Sequence, residues 1–372
     1  MALSFMEGNE AIAWGALEAG CRFFAGYPIT PATTILNTML KILPPKGGIC
    51  LQGEDEIASI GFCLGASMAG MKAMTATSGP GISLYSEQIS FAVGSEIPIV
   101  IVDVQRLGPS TGSATRGADG DINFLRWGNS GGLPVIVLTP ADVNDCFYLT
   151  LQAFNLAEEF RCPVFIASNK EVGMTRESID LAAIERPAII DRTPPPSGEA
   201  FVPFKISAGR TVPYFQPIGD TVLVRQTSST HGPEGYITID PDQIAANQNR
   251  LMRKLHTAVD RFSFFDSYLE NSDTMILTYG VTTRAAQVAA DVLKNEGRPV
   301  SLLVLKTLWP VPVNLIQKKA QKASRVVVIE MNLGQYVNEI TRVLAGKRVD
   351  FYGQMDGRLI TPKQIKEAVV NG

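Results

Sequence analysis

The segment Lys72–Val104 reads KAMTATSGPGISLYSEQISFAVGSEIPIVIVDV and decides the fold. It begins with a predicted strand over Lys72–Ala76, continues after a glycine-rich turn into a predicted helix over Ile82–Val93, and ends in Ile97–Val104. This last stretch is an almost continuous run of β-branched residues, which is typical of a strand buried on both faces. A strand, a helix and a second buried strand in succession predict a βαβ unit with parallel strands.

The same alternation extends on both sides of this unit. Further strands are predicted at Arg22–Ala25, Ile49–Gln52, Pro134–Leu138 and Val164–Ser168, and further helices at Ala32–Leu43, Glu54–Ala69 and Ala141–Glu159. We therefore predict an α/β fold with a doubly wound parallel sheet over residues 1–190. Residues 191–271 are rich in proline and glycine before a charged helix, which predicts a loop-rich linker. A second alternation predicts a smaller parallel-sheet α/β domain over residues 272–372.

Composition and charge exclude several classes of protein. Hydrophobic residues make up 45% and charged residues 19% of the 372 residues, which excludes a disordered chain or a coiled-coil rod. A net charge of −3 without a Lys/Arg cluster argues against a nucleic-acid partner. No apolar stretch approaches the ~20 residues of a membrane span, and Glu7 and Glu10 lie where a signal peptide would be uncharged. We expect a cytoplasmic protein without membrane contact, whose surplus apolar surface covers a subunit interface.

Cysteine and histidine are poorly placed for metal binding or for nucleophilic catalysis. The five cysteines include no CxxC pair, whereas iron–sulfur and structural zinc sites usually need closely spaced thiolates. His231 and His256 are the only histidines, and each is expected to be a solvated or hydrogen-bonded side chain. We predict no metal site on this chain.

Unusual residues follow several strands, at the edge where an open parallel sheet binds ligands. Thr30 ends the turn GYPIT and either caps the next helix or holds a ligand. Thr77–Gly81 is either an anion-binding turn or only a tight turn. Arg106 follows the Ile97–Val104 strand and forms either a surface salt bridge or a bidentate pair with a carboxylate.

Glu54 follows the strand Ile49–Gln52 at the predicted start of a helix. An acidic residue there stabilises the helix dipole, which is the simpler interpretation. The rest of the helix is small and apolar, so it can pack closely against another element. A carboxyl group at its buried end would have a raised pKa.

The combination of YPITP, Glu54, TSGPG and VDVQR resembles the α-subunit of the 2-oxoacid:ferredoxin oxidoreductases, which are thiamine-diphosphate enzymes. Glu54 precedes Gly79 by 25 residues, a spacing similar to that between the activating glutamate and the SGPG turn of thiamine enzymes. The resemblance covers nearly the whole chain. It implies a thiamine-diphosphate pyrimidine-binding domain over 1–190 and a transketolase C-terminal-like domain over 272–372.

The resemblance also implies roles for individual residues. Glu54, or Glu56 if the register shifts by two, would hydrogen-bond N1′ of the pyrimidine and so activate the thiazolium carbon. Thr30 would hold the 2-oxoacid through its hydroxyl, and Arg106 through a bidentate pair with the substrate carboxylate. The residues implied to line the cofactor site are Tyr27, Pro28, Ile29, Ser78 and Gly79.

The chain lacks the motif with which thiamine enzymes hold the diphosphate through Mg²⁺, and its nearest string, Asp119-Gly120-Asp121, follows no apolar strand. The resemblance therefore implies an incomplete enzyme. A β-subunit would carry Mg²⁺, the diphosphate half-site and a [4Fe–4S] cluster in an (αβ)₂ assembly, with room for small ferredoxin-like subunits. The implied reaction is oxidative decarboxylation of a 2-oxoacid to its acyl-coenzyme A, with electrons passing to ferredoxin.

The substrate is indicated by a loop. The run Gly120–Gly128 resembles the 2-oxoglutarate branch, where Arg126 would serve a second carboxylate; a loop salt bridge is the simpler interpretation of Arg126. That branch usually continues with a Thr-His-Gly-Asp-like stretch, which is replaced here by Asn129–Gly132. 2-Oxoglutarate is favoured, with an aromatic or branched-chain 2-oxoacid as the alternative. Two other hypotheses are a non-catalytic ligand-binding or assembly subunit and a self-contained thiamine decarboxylase or synthase.

Overall fold

The computed structural model describes residues 3–372. The strands are β1 (Ser4–Glu7), β2 (Cys21–Gly26), β3 (Ile49–Gln52), β4 (Lys72–Thr77), β5 (Ile99–Gln105), β6 (Ile136–Leu138), β7 (Pro163–Asn169), β8 (Arg176–Ile179), β9 (Phe265–Tyr268), β10 (Thr274–Tyr279), β11 (Ser301–Leu305), β12 (Thr307–Trp309), β13 (Arg325–Glu330) and β14 (Arg348–Gly353). The α-helices are α1 (Gly8–Glu18), α2 (Thr33–Ile42), α3 (Glu56–Met68), α4 (Gly79–Leu84), α5 (Ser86–Gly94), α6 (Ile122–Trp127), α7 (Val143–Phe160), α8 (Lys170–Met174), α9 (Pro241–His256), α10 (Thr282–Asn295), α11 (Val313–Lys319), α12 (Val337–Val343) and α13 (Pro362–Asn371).

The first sheet has the strand order β12-β6-β7-β5-β4-β2-β3, and its strands are parallel except for β12. Every residue of β5 is buried, as the β-branched run predicts. Ile99 and Ile101 pack in the hydrophobic cluster on one face, and Val100 and Val102 pack in the cluster on the other. The doubly wound α/β fold is thereby confirmed.

The second sheet has the order β14-β13-β10-β11-β9, in which β9 is antiparallel to β11. Each sheet includes one strand that comes from outside its own predicted domain. β9 lies within the predicted linker of 191–271, whereas β12 comes from the predicted C-terminal domain and pairs with β6 of the first sheet. The domain boundaries at 190 and 271 therefore stay predictions.

The loop-rich segment between β8 and α9 lies against the first sheet's helices. Arg192 donates from Nη1 to the backbone carbonyl of Ser67 at 2.6 Å and from Nε to Glu158 at 2.8 Å. These contacts tie the segment to α3 and α7. Between residues 3 and 372, no helix is both long and apolar enough to cross a membrane.

Candidate active site

Two of the predicted substrate residues meet at the carboxyl edge of the first sheet. Arg106 follows β5, and its Nη1 donates a 2.7 Å hydrogen bond to the backbone carbonyl of Thr30, which follows β2. The Arg106 side chain is only 6% exposed, and its Nε has no partner. Thr30 is itself exposed. The guanidinium is therefore held from one side while a buried N–H donor is left for a ligand.

The predicted cofactor residues Ser78 and Gly79 lie beside Arg106, because β4 pairs with β5. A Cβ added at Gly79 would lie 3.8 Å from Cγ and 3.9 Å from Nε of Arg106. Ser78 is fully buried, and its hydroxyl has no hydrogen-bond partner. Buried hydroxyls without partners are uncommon in native proteins, so this one is suited to bind a ligand atom.

The start of helix α3 lies between the two candidate carboxyl groups: Glu54 precedes the helix, and Glu56 begins it. It begins at Glu56, two residues later than predicted, because Asp55 is its N-cap and accepts a 2.6 Å hydrogen bond from the Ala58 amide. Glu54 therefore precedes the helix, and its side chain is exposed. Glu56 lies in the first turn and is buried.

Glu56 contacts the turn after β4. A Cβ added at Gly81 would lie 2.8 Å from Cγ and 3.0 Å from Oε1 of Glu56, and 2.0 Å from Oγ1 of Thr77. Only glycine allows the turn to approach the carboxyl group this closely. The structure thus brings Glu56, rather than Glu54, to the edge that holds Ser78 and Arg106.

The other residues predicted to line the cofactor site lie in the loop after β2. Tyr27 and Pro28 are exposed, whereas Ile29 is half-buried and packs against the hydrophobic core. They form the rim of the edge, directly before Thr30. Their predicted contact with a cofactor stays a prediction.

Arg126 is used within its own loop. Its guanidinium donates to the backbone carbonyls of Leu133 at 3.2 Å and Gly132 at 3.3 Å, and it lies 3.9 Å above the centre of the Trp127 ring. Arg126 forms no salt bridge within residues 3–372, so the simpler interpretation is not what the structure shows. Its role toward a second substrate carboxylate stays a prediction.

Two buried carboxyl groups, Asp103 and Asp119, and the half-buried Asp121 were not predicted as site residues. Asp103 lies on β5 and is fully buried, and this burial, together with the neighbouring Asp121, raises its pKa. Burial also raises the pKa of Asp121 to about 6 and that of Asp119 to about 7. The signal was present in the sequence, since Asp103 is the one charged residue inside the apolar β5 run.

No group of three or more His, Cys, Asp or Glu side chains in the described part of the chain is arranged to hold a metal ion. The cysteines are all free thiols, and four of the five are buried. His231 Nδ1 lies 2.6 Å from the backbone carbonyl of Ser229, in line with its expected hydrogen-bonded role.

Two family models match the chain. Residues 14–249 match "Pyruvate flavodoxin/ferredoxin oxidoreductase, thiamine diP-bdg", which covers more than half of the sequence. The chain belongs to the pyruvate flavodoxin/ferredoxin oxidoreductase family. Residues 272–365 match the pyruvate:ferredoxin oxidoreductase core domain II. The resemblance carried by the YPITP, TSGPG and VDVQR motifs is confirmed, a thiamine-diphosphate-binding domain is present, and the family consists of enzymes.

Curated members of the family match over their full length. The chain is 39% identical to the 2-oxoglutarate synthase subunit KorA of Methanocaldococcus jannaschii, covering 100% of both proteins. It is 32% identical to the ketoisovalerate oxidoreductase subunit VorB of Methanothermobacter thermautotrophicus, covering 99% of this chain and 97% of the relative.

Solved structures agree with this family. The 2-oxoglutarate:ferredoxin oxidoreductase from Magnetococcus marinus, with 2-oxoglutarate, coenzyme A and succinyl-CoA bound, superposes with a TM-score of 0.93 at 32% identity. It matches 100% of this chain, which spans 65% of that longer chain. A split-gene transketolase in an inactive beta4 tetramer superposes with a TM-score of 0.58 at 15% identity, which shows a shared fold.

Proposed function

We propose that this chain is the α-subunit of a 2-oxoglutarate:ferredoxin oxidoreductase, which oxidatively decarboxylates 2-oxoglutarate to succinyl-coenzyme A and passes the electrons to ferredoxin. One observation carries the proposal: Glu56, the Ser78–Gly81 turn, Arg106 and Thr30 meet at one edge of the sheet. The choice of 2-oxoglutarate is supported by four relatives named 2-oxoglutarate synthase subunit KorA at 38–39% identity. The 32% identity to VorB supports a branched-chain 2-oxoacid as the alternative.

The edge fits the pyrimidine end of thiamine diphosphate. It offers a buried carboxyl group at Glu56, unpartnered buried hydroxyls at Thr77 and Ser78, and two glycines, Gly79 and Gly81, that keep the turn free of side chains. When bound, thiamine diphosphate supplies a nucleophilic carbon and an electron sink for decarboxylation. In this proposal Glu56 takes the role first assigned to Glu54, holding a proton between its carboxyl group and the pyrimidine nitrogen.

Arg106 is proposed to bind the substrate carboxylate. Its guanidinium is held by Thr30 O, so it is pre-oriented and pays little side-chain entropy when it forms a bidentate pair. The Thr30 hydroxyl is proposed to contact the keto oxygen from the exposed side of the same turn.

An apolar face beside this site is proposed to be covered by a β-subunit. β3 is the edge strand of a parallel sheet, yet Ile49 and Leu51 are 42% and 39% exposed, and Ile57 and Phe62 of α3 are 47% and 48% exposed. Parallel strands are normally covered on both faces, and exposed apolar patches mark interfaces. We assign Mg²⁺, the diphosphate half-site and the [4Fe–4S] cluster to that β-subunit, in a cytoplasmic (αβ)₂ complex that admits small ferredoxin-like subunits.

The two neighbouring glutamates provide a matched test. In the purified complex, reduction of a viologen dye is measured with coenzyme A and a 2-oxoacid. We expect Glu56→Gln to lower kcat by about 10²-fold or more, as for loss of a general acid–base group, while Glu54→Gln stays within about twofold, the effect of a surface change. Equal activity of Glu56→Gln and wild type, or a large loss only in Glu54→Gln, would overturn the assignment.

The same assay separates the alternative functions. A panel of 2-oxoglutarate, pyruvate, 2-oxoisovalerate and phenylglyoxylate identifies the substrate through the highest kcat/KM. Activity of this chain without other subunits would support a self-contained thiamine enzyme. A complex that stays fully active when Glu56 and Arg106 are both replaced would support a non-catalytic subunit.

A further inference from the structure

The buried Asp103 and the half-buried Asp121 form a carboxyl pair next to the proposed substrate arginine. Asp103 is fully buried on β5, and Asp121 is held above the same strand because its amide donates a 2.9 Å hydrogen bond to Oε1 of Gln105. Gln105 is two residues after Asp103, so both side chains extend from the same face of β5. The loop therefore brings Asp121 to the face of β5 from which Asp103 extends.

The hydrogen bonds of this pair are incomplete unless it holds a proton. Three carboxyl oxygens are buried here: both oxygens of Asp103 and Oδ2 of Asp121. None of them accepts a hydrogen bond from an N–H or O–H group. Each carboxyl group acts on the pKa of the other: Asp121 raises that of Asp103, and Asp103 lowers that of Asp121. Two ionised carboxylates in contact repel each other strongly, whereas one shared proton gives the missing donor.

Arg106 is the cation that faces this pair. It lies one residue after Gln105, its charge acts on Asp121, and its buried Nε has no partner. With one shared proton the pair carries a single negative charge, which balances the guanidinium without saturating it. With no proton it carries two negative charges, which compete with a substrate carboxylate for the same guanidinium.

We propose that Asp103 and Asp121 share one proton that keeps Arg106 available to the 2-oxoacid, so that Asp103 is a positioning residue for substrate binding. The inference rests on the proposed function, since it concerns the same arginine. Loss of the shared proton as the pH rises turns Arg106 toward the pair and weakens binding of the 2-oxoacid carboxylate.

Two other carboxyl groups near the pair are Asp119 and Glu330. Asp119 is two residues from Asp121, and its pKa is about 7 because burial outweighs the hydrogen bond from Asn169. Glu330 acts on Asp119 rather than on Asp103. Burial and the charge of Asp121 raise the pKa of Asp103 well above its usual range, so the proton of the pair is lost at a higher pH than that of an ordinary carboxyl group.

The first test is the pH dependence of KM for 2-oxoglutarate in the complex, at saturating coenzyme A. We expect the wild-type KM to rise toward tenfold per pH unit above the pKa of the pair, with kcat changing less. Asp103→Asn supplies a permanent N–H donor to Asp121, so its KM should stay flat over that range. Asp119→Asn is the control, and its KM should still rise with pH. The inference is overturned if the KM of Asp103→Asn also rises with pH, or if only Asp119→Asn loses the rise.

The second test does not use activity. Infrared spectra of the resting complex, recorded below the pH at which the wild-type KM begins to rise, should show a protonated carboxyl band that shifts in D₂O, is lost in Asp103→Asn and is kept in Asp119→Asn. Absence of the band in wild type refutes the shared proton. A complex that does not oxidise any 2-oxoacid refutes the proposed function instead, whatever the spectrum shows.

Discussion

Replacing Gly81 with alanine tests whether the close contact between the turn and Glu56 shapes the site. The backbone of Gly81 is not in the left-handed region, so the added methyl group acts through space alone. It would lie 2.0 Å from Oγ1 of Thr77, 2.8 Å from Cγ of Glu56 and 3.0 Å from its Oε1. Both neighbouring side chains must therefore move.

The size of the effect follows from these distances. Contacts of Cβ under 3.0 Å are essentially not seen in proteins, so the Thr77 hydroxyl must retreat by about 1 Å, and Glu56 by a few tenths of an ångström. Overpacking of this kind typically costs about 1–3 kcal/mol. Misplacement of a catalytic group by about 1 Å lowers turnover by up to about 10²-fold.

The assay combines thermal unfolding of the chain with viologen reduction by the complex. We expect Gly81→Ala to lower Tm and to lower kcat by up to about tenfold, because Glu56 moves by less than the 1 Å that would cost about 10²-fold. Gly65→Ala is the matched control for unfolding, because no atom lies within 4 Å of its added Cβ and alanine is favoured in a helix; it should preserve or raise Tm. A Gly81→Ala protein with wild-type Tm and kcat would refute the contact.

Two further changes test the electrostatics. Burial raises the pKa of Glu96, but the charges of Lys254 and Arg250 outweigh it and lower the pKa to about 2; stability from this group is present above about pH 4.5 and is lost as the pH falls toward 2. Urea unfolding of Glu96→Gln should therefore show a free energy of unfolding that is about 3 kcal/mol lower at pH 7, since the buried Lys254 and the half-buried Arg250 lose their partner, and a smaller loss at pH 3. An equal loss at both pH values contradicts this ion-pair account. Arg106→Lys removes the planar guanidinium, so KM for the 2-oxoacid should rise at least about tenfold, the effect of losing about 1.4 kcal/mol, and an unchanged KM contradicts the carboxylate role.

The sequence by itself determined the parallel strands of the first sheet and the family, and it predicted Thr30 and Arg106 at one edge of that sheet. The β-branched run of β5 indicates a strand buried on both faces, and successive βαβ units place all strand ends at one edge. Thr30 and Arg106 are 76 residues apart in sequence and meet there through a 2.7 Å hydrogen bond. They meet because β2 and β5 are parallel and end at the same edge of the sheet, and the alternation of strands and helices in the sequence predicts this parallel arrangement.

Only the tertiary structure showed which carboxyl groups lie at the candidate site. Asp55, rather than a residue before Glu54, caps α3, so the helix begins two residues later and Glu56 is buried against Gly81. Arg126 is held by its own loop. The pairing of Asp103 with Asp121 depends on a loop path that no local pattern specifies, because hydrophobic periodicity reports the face on which a side chain lies but not the residue that faces it from elsewhere in the chain.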